Sequence, residues 1–314
     1  MDLVTIGEAL GVFAPIPDGA LRPGGTASFA VGGAELNVAV GLARLGHRVS
    51  WVGRVGDDAA GRAIRTVLRA ESVHDECVRT DPDAATGIYV KETVGLRGLR
   101  VSYHRAHSAA TQMEIAEADF AYLLSGRILH LTGITPALST GLEELMRELL
   151  ARATTTGVTV SFDANIRHRL LVDRAPVELL EPFVSAADMV FLSASEAEEL
   201  LGIETVDDAV DQFATLRAKA LVVHCASGAY AVDHGGVETV EARSLQVVDP
   251  VGAGDAFVAG YLSGHLRGWS TRQCLSLAEL CAAHVVTVAG DHDGFPTEPE
   301  ALAALGVTAS RAER

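Results

Sequence analysis

The sequence has few of the features that would tie a protein to a membrane or to an oxidising compartment. No apolar run approaches the roughly 20 residues that a membrane-spanning helix needs, and no basic segment followed by an apolar one indicates a signal peptide. The four cysteines include no C-x-x-C pair and have no metal-ligand spacing. Two of them, Cys274 and Cys281, fall in an apolar helical stretch, where we expect core packing. From these absences we expect a cytoplasmic protein without a membrane span.

Positive charge is also scarce. The chain has 25 Lys and Arg residues against 41 Asp and Glu residues, a formal net charge of −16. An acidic surface repels phosphate backbones, and no basic cluster is present, so the sequence predicts no nucleic-acid partner. Hydrophobic residues make up 48% and charged residues 21%, which is ordinary for a globular protein. The length allows one large α/β domain or two small ones.

Short apolar strands alternate with helical stretches along most of the chain. A first strand is predicted at residues 3–6, a helix at about 34–45 and a second strand at 49–52. Further apolar strands are predicted at 128–131, 158–162, 189–192 and 221–223. This alternation is typical of an α/β fold with a doubly wound, mostly parallel sheet and helices on both faces.

Two stretches interrupt the alternation. Residues 11–31 are rich in Gly and Pro, and residues 86–105 alternate polar and apolar side chains. We interpret both as antiparallel strands that form a small β-sheet lid beside the main sheet. Because we find no internal repeat and no linker, we predict a single domain over residues 1–314, with lid strands inserted at about 11–31 and 86–105.

The clearest chemical signal is the run Gly252-Ala253-Gly254-Asp255, which opens an apolar helix. The apolar pair at 247–248 before it is interpreted as the end of a strand. Glycines at a strand-to-helix turn let backbone N–H groups approach an anion, and the helix N-terminus adds a favourable dipole. A carboxylate there can take a proton from an attacking hydroxyl while the amides hold a transferring phosphoryl group. The alternative is that Asp255 only caps the helix.

A second signature, Gly33-Ala-Glu-Leu-Asn37, leads into a helix that ends at Gly46. Residues 32–46 and 249–260 together resemble the paired signatures of the ribokinase-like (PfkB) family of sugar kinases, and the resemblance is collinear over essentially the whole chain. It implies a ribokinase-like fold, Asp255 as catalytic base, ATP with Mg²⁺, and a homodimer or larger homo-oligomer formed through the lids. It leaves open a requirement for a monovalent cation. No G-x-x-x-x-G-K-[ST] run occurs, so a nucleotide must be held in another way. The resemblance implies that its phosphates lie at the amides of Gly252, Ala253 and Gly254.

Further matches imply a nucleotide site. The run at 163–167 resembles the D-x-N-x-R motif of the family, which assigns Asn165 and Arg167 to the phosphates. Ser193 and Glu196 stand where the family has N-x-x-E, whose Glu orders magnesium through water. Ser193 replaces the usual Asn, and the alternative for Glu196 is a solvated carboxylate in the first turn of a helix. The same resemblance places a nucleotide-binding loop at Ala226, Ser227 and Gly228, with Cys225 where the family usually has Gly.

Within the family, the chain resembles the 2-keto-3-deoxygluconate kinases at residues 89, 103–105, 108–110, 167 and 290–294. An Arg fork with a neighbouring phenol is a natural receptor for the carboxylate of a sugar acid. Tyr103 and Arg105, two apart on a predicted strand, face the same side; the alternative is that Arg105 is a solvated lid residue. The resemblance implies a sugar-binding set of Gly33, Asn37, Tyr89, Tyr103, Arg105, Arg167, Asp255 and Asp291.

The leading hypothesis is therefore phosphorylation of the terminal hydroxyl of 2-keto-3-deoxygluconate to give 2-keto-3-deoxy-6-phosphogluconate. Alternatives are a kinase of another sugar acid or of a neutral sugar such as fructose, a non-catalytic sugar-binding regulator, and a nucleoside kinase. Val12 stands where fructokinases of the family have a hydroxyl-binding Asp, which favours a substrate with fewer hydroxyls. The retained Asp255 argues against a regulator, and Arg105 fits a nucleobase poorly.

Overall fold

The computed structural model describes residues 1–16, 19–93, 99–243 and 245–307. Its strands are Leu3–Ile6 (β1), Leu10–Ile16 (β2), Thr26–Gly32 (β3), Val49–Gly56 (β4), Val78–Asp81 (β5), Ile88–Thr93 (β6), Leu99–His104 (β7), Ile128–Thr132 (β8), Thr159–Asp163 (β9), Met189–Ser193 (β10), Ala220–Cys225 (β11), Gly228–Asp233 (β12) and Gly236–Glu241 (β13). Its α-helices are Ala34–Arg44 (α1), Ala59–Ala70 (α2), Phe120–Leu123 (α3), Thr140–Thr156 (α4), Pro176–Ala186 (α5), Ala194–Leu201 (α6), Val206–Phe213 (α7), Ala253–Leu266 (α8), Thr271–Val285 (α9) and Glu298–Ala304 (α10).

Nine strands form the main sheet in the order β13-β12-β11-β10-β9-β8-β1-β4-β5. All neighbours from β11 to β5 pair in parallel, and β12 and β13 add an antiparallel hairpin at one edge. Successive side chains of a strand point to opposite faces, so Leu3 packs in one apolar core and Val4 in another. Helices α1, α8 and α9 bury their apolar residues in the first core, and α4 and α5 in the second. The predicted doubly wound α/β architecture is confirmed.

The six apolar strands predicted at 3–6, 49–52, 128–131, 158–162, 189–192 and 221–223 are present, within a few residues of their observed ends. One prediction was wrong. Val247 and Val248 do not form a strand, and each is 58% exposed. Two β-branched residues favour an extended backbone only weakly unless a neighbouring strand pairs with them, and the main sheet already ends at β13. Cys274 and Cys281 lie buried on α9, as expected.

The lid is a four-stranded sheet in the order β3-β2-β6-β7. The pairs β2–β3 and β6–β7 are antiparallel as predicted, but β2 and β6 run parallel. Parallel neighbours need a long crossover connection, and the segment with β4, α2 and β5 provides it. Residues 17, 18 and 94–98 of the predicted lid segments lie outside the described residues.

None of the helices in the described part of the chain is long and apolar enough to cross a membrane. The carboxyl ends of β1, β8, β9, β10 and β11 meet at one edge of the main sheet. In open α/β sheets this edge is the usual place for a ligand.

Candidate active site

A cavity of about 350 Å³ lies between the lid and the carboxyl edge of the main sheet. Residues from both predicted signatures, from the lid and from the loops after β9 and β10 line it. It therefore brings together parts of the chain that are far apart in sequence. The predicted residues in its lining are Gly33, Asn37, Tyr89, Tyr103, Arg105, Asn165, Arg167, Ser193, Glu196, Gly252, Ala253, Gly254, Asp255 and Asp291.

The turn before α8 has the geometry of an anion site. Gly252 is the N-cap of α8 with φ 83° and ψ −6°, in the left-handed region. A Cβ atom at this position would lie 2.0 Å from the backbone oxygen of Asp291, so only glycine fits. No side chain among the described residues caps this helix. The first backbone N–H groups of α8, which have no partner within the helix, are therefore left for a ligand.

Asp255 lies in the first turn of α8 and is buried. The Nδ2 of Asn37 donates to its Oδ2 at 2.7 Å, and the Nδ2 of Asn165 approaches its Oδ1 at 3.4 Å. Burial raises the pKa of Asp255 to about 7, although the hydrogen bond from Asn37 and the charge of Arg167 oppose the rise. A carboxylate with such a pKa can accept a proton at neutral pH.

Asn165 connects Asp255 to a second buried carboxylate. Its Nδ2 also donates to Oδ2 of Asp163 at 3.2 Å. Burial raises the pKa of Asp163 well above its ordinary value, and the charges of Glu196 and Asp255 add to the rise. Asn165 has φ 38°, which is uncommon for a residue other than glycine. Strained backbone of this kind clusters at functional sites, and here it belongs to the residue whose amide joins the two carboxylates.

Ser193 and Glu196 form a capping box at the start of α6. Ser193 Oγ accepts from the N–H of Glu196 at 3.3 Å, and Glu196 Oε2 accepts from the N–H of Ser193 at 2.7 Å. The other carboxylate oxygen, Oε1, accepts from the N–H of Ile166 at 2.7 Å. Glu196 is therefore neither free nor fully solvated: it caps a helix and fixes the loop after β9.

The lid closes the cavity with Tyr89, Tyr103 and Arg105. Arg105 Nη2 lies 2.5 Å from Oε2 of Glu8, and the guanidinium stands over the Tyr103 ring at 5.2 Å. Its side chain is 10% exposed, so Arg105 is not a solvated lid residue. The Nε of Arg105 is buried and has no hydrogen-bond partner among the described residues.

The sequence matches the family model for pfkB family carbohydrate kinases over residues 1–298. The chain belongs to this family. It is therefore a phosphotransferase that acts on a sugar hydroxyl, as the two signatures predicted.

Several members of the PfkB family are close in sequence or structure. The chain is 35% identical to a 2-dehydro-3-deoxygluconokinase of Bacillus subtilis, over 95% of this chain and 93% of the relative. It is 34% identical to a fructokinase of Klebsiella pneumoniae, over 84% and 88%. A solved fructokinase with bound ATP from Xylella fastidiosa superposes with a TM-score of 0.85, at 25% identity over 97% and 98%. Both sugar classes are thus represented among near relatives.

Among the titratable residues of this PfkB kinase that line the cavity without having been predicted there are Glu8, Glu35 and His224. Burial raises the pKa of both glutamates, and hydrogen bonds oppose the rise. His224 lies at the carboxyl end of β11, and its ring centroid is 5.2 Å from that of Phe257. A polar residue at the carboxyl end of a parallel strand is the sequence signal that could have identified His224.

The lining of this cavity does not reach Ala226, Ser227 and Gly228. Residues 226–227 form the turn between β11 and β12, and Gly228 begins β12 with φ 139°. A Cβ atom on Gly228 would lie 2.1 Å from the backbone oxygen of Val240. The packing of β13 therefore accounts for this glycine, and a contact between the loop and a nucleotide stays a prediction.

The lining also fits a magnesium nucleotide. Mg²⁺ usually takes one or two carboxylates and completes its shell with water and phosphate oxygens. Among the described residues no group of three or more His, Cys, Asp or Glu side chains could hold a metal ion by itself. Glu196 and Asp163 are the carboxylates of the cavity that come from the predicted nucleotide motifs. The predicted role of Glu196 through water stays a prediction.

Proposed function

We propose that this PfkB kinase transfers the γ-phosphoryl group of ATP to the terminal hydroxyl of 2-keto-3-deoxygluconate, the sugar acid also called 2-dehydro-3-deoxygluconate. The product is 2-keto-3-deoxy-6-phosphogluconate. The observation that carries the proposal is that two arginines, Arg105 and Arg167, and the phenol of Tyr103 line the same cavity as Asp255. The 35% identity to a kinase of this sugar acid supports it.

The chemistry follows from the turn before α8. Asp255 takes the proton of the sugar hydroxyl onto its carboxylate as the oxygen forms its bond to the γ-phosphorus. The bond from that phosphorus to the β,γ-bridging oxygen breaks, and the leaving group is ADP. The N–H groups of Gly252, Ala253 and Gly254 face the charge that develops on the phosphoryl oxygens. Bound Mg²⁺ supplies further neutralisation of phosphate charge. The bound ATP of the Xylella fastidiosa relative supports ATP as the donor.

Two guanidinium groups are available to a substrate carboxylate. Arg167 lines the cavity, is exposed, and forms no salt bridge with the described residues. The Nη2 of Arg105 forms an ion pair with Glu8, whereas its Nε has no hydrogen-bond partner among the described residues. A guanidinium fork matches a carboxylate better than a lysine ammonium does, because its N–H groups are planar and fixed. We therefore assign the sugar carboxylate to Arg167 and Arg105 together.

The carboxylates that share this cavity are mostly engaged by the protein itself. Glu8 accepts from Ser108 Oγ at 2.6 Å and forms an ion pair with Arg105. Glu35 accepts from Thr132 Oγ1 at 2.6 Å and from Thr135 Oγ1 at 2.5 Å. These local partners reduce the repulsion that an incoming anion would meet.

The neutral-sugar alternative keeps some support from the 34% identity to a fructokinase. The argument against it from Val12 is weaker than the sequence indicated. Val12 packs in the lid with Leu10 and Tyr89 and does not line the cavity, whereas Leu10 does. An apolar residue at position 12 therefore gives no direct information about sugar hydroxyls.

The test is turnover of ATP with 2-keto-3-deoxygluconate, 2-keto-3-deoxygalactonate and D-fructose, for wild type and for Arg167→Ala and Arg105→Ala. For the buried Arg105, losing one partner of a charge pair typically costs about 2–5 kcal/mol, or roughly 30- to several-thousand-fold in kcat/KM; for the exposed Arg167 we expect a smaller loss. We expect these losses on the sugar acids and much smaller ones on fructose.

Tyr103→Phe is the matched control, because it removes one hydroxyl and keeps the ring; about 1 kcal/mol is expected. Arg105→Ala also leaves Glu8 without its cation, but that effect is common to all sugars and cancels in the ratio of kcat/KM values. Equal losses on the sugar acids and on fructose would overturn the sugar-acid assignment and leave the kinase assignment intact.

We also propose that the lid pairs with the lid of a second copy. The lid exposes the apolar side chains of Ile16, Phe29 and Leu99, and β3 and β7 are its edge strands. Exposed apolar edges are usually covered. Light scattering at micromolar concentration should give at least a dimer, and Phe29→Asp should shift it towards monomer; a wild-type monomer would contradict the proposal. The cytoplasmic location and the monovalent cation stay predictions.

A further inference from the structure

Lys91 is unusual because lysine is rare in this chain and because its side chain is buried. Two of the 25 Lys and Arg residues of the chain are lysines, Lys91 and Lys219. Lys219 is 65% exposed and pairs with Asp188 at 3.1 Å. Lys91 belongs to the lid strand β6, yet it is only 8% exposed. A buried lysine needs partners for its charge.

Two carboxylates provide those partners. The ammonium of Lys91 donates to Oδ2 of Asp249, and its Nζ lies 3.6 Å from Oδ1 of Asp291. Both aspartates are buried themselves. Two buried carboxylates so close together repel each other unless a cation lies between them. Lys91 is that cation.

Asp249 also holds backbone from two loops. Its Oδ1 accepts from the N–H of Val251 at 3.2 Å, and its Oδ2 accepts from the N–H of Gly290 at 3.2 Å. Val251 directly precedes Gly252, the N-cap of α8. One carboxylate thus joins the anion-binding turn, the loop at Gly290 and the ammonium from the lid.

Asp291 continues the same connection. Its backbone oxygen packs against Gly252 so closely that a Cβ atom there would lie 2.0 Å away. Its Oδ2 accepts from the hydroxyl of Tyr89 at 2.5 Å. Tyr89 and Lys91 are two apart on β6 and therefore face the same side of the lid. The lid strand consequently contacts both loops that set the position of Gly252.

A lysine suits this junction better than an arginine. The ammonium is a compact point charge with three donors, whereas the guanidinium is a larger, planar fork. The chain uses arginine for all but two of its Lys and Arg positions. Lysine at this buried junction is thus an exception to the preference of the chain for arginine.

We propose that Lys91 is a positioning residue for phosphoryl transfer. Its ammonium neutralises Asp249 and Asp291 and so fixes the turn Gly252-Ala253-Gly254 relative to Asp255 when the lid is in place. A misplacement of about 1 Å at a reacting group can cost roughly 10² in rate. The inference needs only the kinase activity and is independent of which sugar is phosphorylated.

The first test compares Lys91→Met with Lys219→Met, which removes the other lysine and its ion pair with Asp188 far from the cavity lining. The assay uses whichever sugar of the panel above wild type phosphorylates fastest. We expect kcat of Lys91→Met to fall by roughly 10- to 100-fold, with the KM for sugar changed less than threefold, and Lys219→Met to be unchanged. An unaltered kcat, or equal changes in kcat and KM through lost sugar binding, would overturn the proposal.

The second test separates positioning from stability, because Lys91→Met leaves two carboxylates without their cation. In the double variant Lys91→Met/Asp249→Asn, one of those charges is also removed. We expect its Tm to return towards the wild-type value while kcat stays low. The two neutral side chains at positions 91 and 249 cannot form the ion pair that positions the turn at 252–254. Recovery of kcat together with Tm would show that Lys91 only stabilises the fold.

The third test restores the charge without the side chain. Methylammonium added to Lys91→Ala should recover part of kcat, whereas tetramethylammonium at equal ionic strength should not, because it has no N–H donor and is larger. Lys91→Met, whose side chain fills the space, should not respond. A Lys91→Ala variant that responds to neither cation would overturn the role of the ammonium, and would leave the sugar assignment untouched.

Discussion

Helices α6 and α8 both begin in the cavity, but their N-termini are completed in opposite ways. At α6 the side chains of Ser193 and Glu196 accept from each other's backbone N–H groups. At α8 the N-cap is Gly252, which has no side chain, and within the part of the chain that the structure describes no other side chain caps the helix. Both helices begin at the same cavity, so the difference in capping comes from the residues that begin each helix.

The difference shows that, of two helix N-termini in one cavity, one stabilises the fold and the other is available for ligand binding. A capped N-terminus uses its donors on its own side chains, which stabilises the helix by roughly 0.5–2 kcal/mol. An uncapped one keeps its donors for an anion and remains less stable until the anion binds. Asp255, whose pKa is raised to about 7 by burial, lies in the first turn of the uncapped helix. We therefore expect substitutions at α8 to affect rate and substitutions at α6 to affect mainly stability.

The largest effect is expected from Asp255→Asn. Losing a positioned general base typically lowers kcat by roughly 10²–10⁴, while sugar binding measured by calorimetry should change little. Asp208→Asn is a matched control, because Asp208 also lies in the first turn of a helix, in the capping box of α7. That control should alter stability slightly and activity not at all. A loss below about tenfold in Asp255→Asn would refute the assignment of the base.

Gly252→Ala tests whether the open N-terminus needs its backbone geometry. The residue has φ 83°, and the new Cβ would meet the backbone oxygen of Asp291. Displacing or losing one donor to a developing charge costs roughly 10²–10³ in kcat, and we expect at least the lower half of that range.

Gly157→Ala is the control for Gly252→Ala, since Gly157 has φ 77° at the end of α4 and no atom of the described residues lies within 4 Å of its Cβ position. Left-handed backbone costs a non-glycine residue about 1–2 kcal/mol, so Gly157→Ala should lose about that much stability, and Gly252→Ala should lose more because its Cβ also meets the backbone oxygen of Asp291. Equal activity in the two variants would show that the open turn at Gly252 plays no special part in catalysis.

The pH profile should reflect the carboxylate of the uncapped helix. Because the pKa of Asp255 is about 7, kcat/KM should fall about tenfold per pH unit below 7 and level off above it. The residual activity of Asp255→Asn should lack this step. A profile with its acid limb near the ordinary pKa of a carboxyl group would contradict the burial argument.

The same raised pKa makes a prediction about stability. A carboxyl group with a raised folded-state pKa contributes stability that is fully present below its unfolded value of 3.8 and is lost as pH rises through about 7. The Tm of wild type relative to Asp255→Asn should therefore be lower at pH 8 than at pH 5. An unchanged difference in Tm between the two pH values would count against this account.

The smallest effect on rate is expected at the capped helix. Ser193→Ala should cost roughly 0.5–2 kcal/mol in the free energy of unfolding and change kcat less than threefold. Ser270→Ala, which opens the capping box of α9, is the control and should lose similar stability. Glu196→Gln tests whether Glu196 also takes part in binding Mg²⁺. A higher Mg²⁺ concentration for half-maximal activity would mean that Glu196 both caps α6 and binds the ion, and the contrast between the two helices would then be weaker.

Much of the fold and the catalytic turn could be predicted because their signals are local. Apolar strands alternating with helices predicted the doubly wound sheet, since each element shows its own periodicity. The run from Gly252 to Asp255 predicted an anion site with a carboxylate, since the residues that form it are consecutive. The capping pair Ser193 and Glu196 is equally local, three residues apart.

Only the tertiary structure decided which partners these residues have. Asn37 and Asp255 are 218 positions apart yet share a hydrogen bond, and Arg105 meets Glu8 across the lid. The parallel pairing of β2 with β6, and the absence of a strand at 247–248, likewise depend on neighbours that lie elsewhere in the chain. The raised pKa of Asp255 has the same origin, because desolvation is produced by all the elements that pack around a carboxyl group and by no pattern in its own segment.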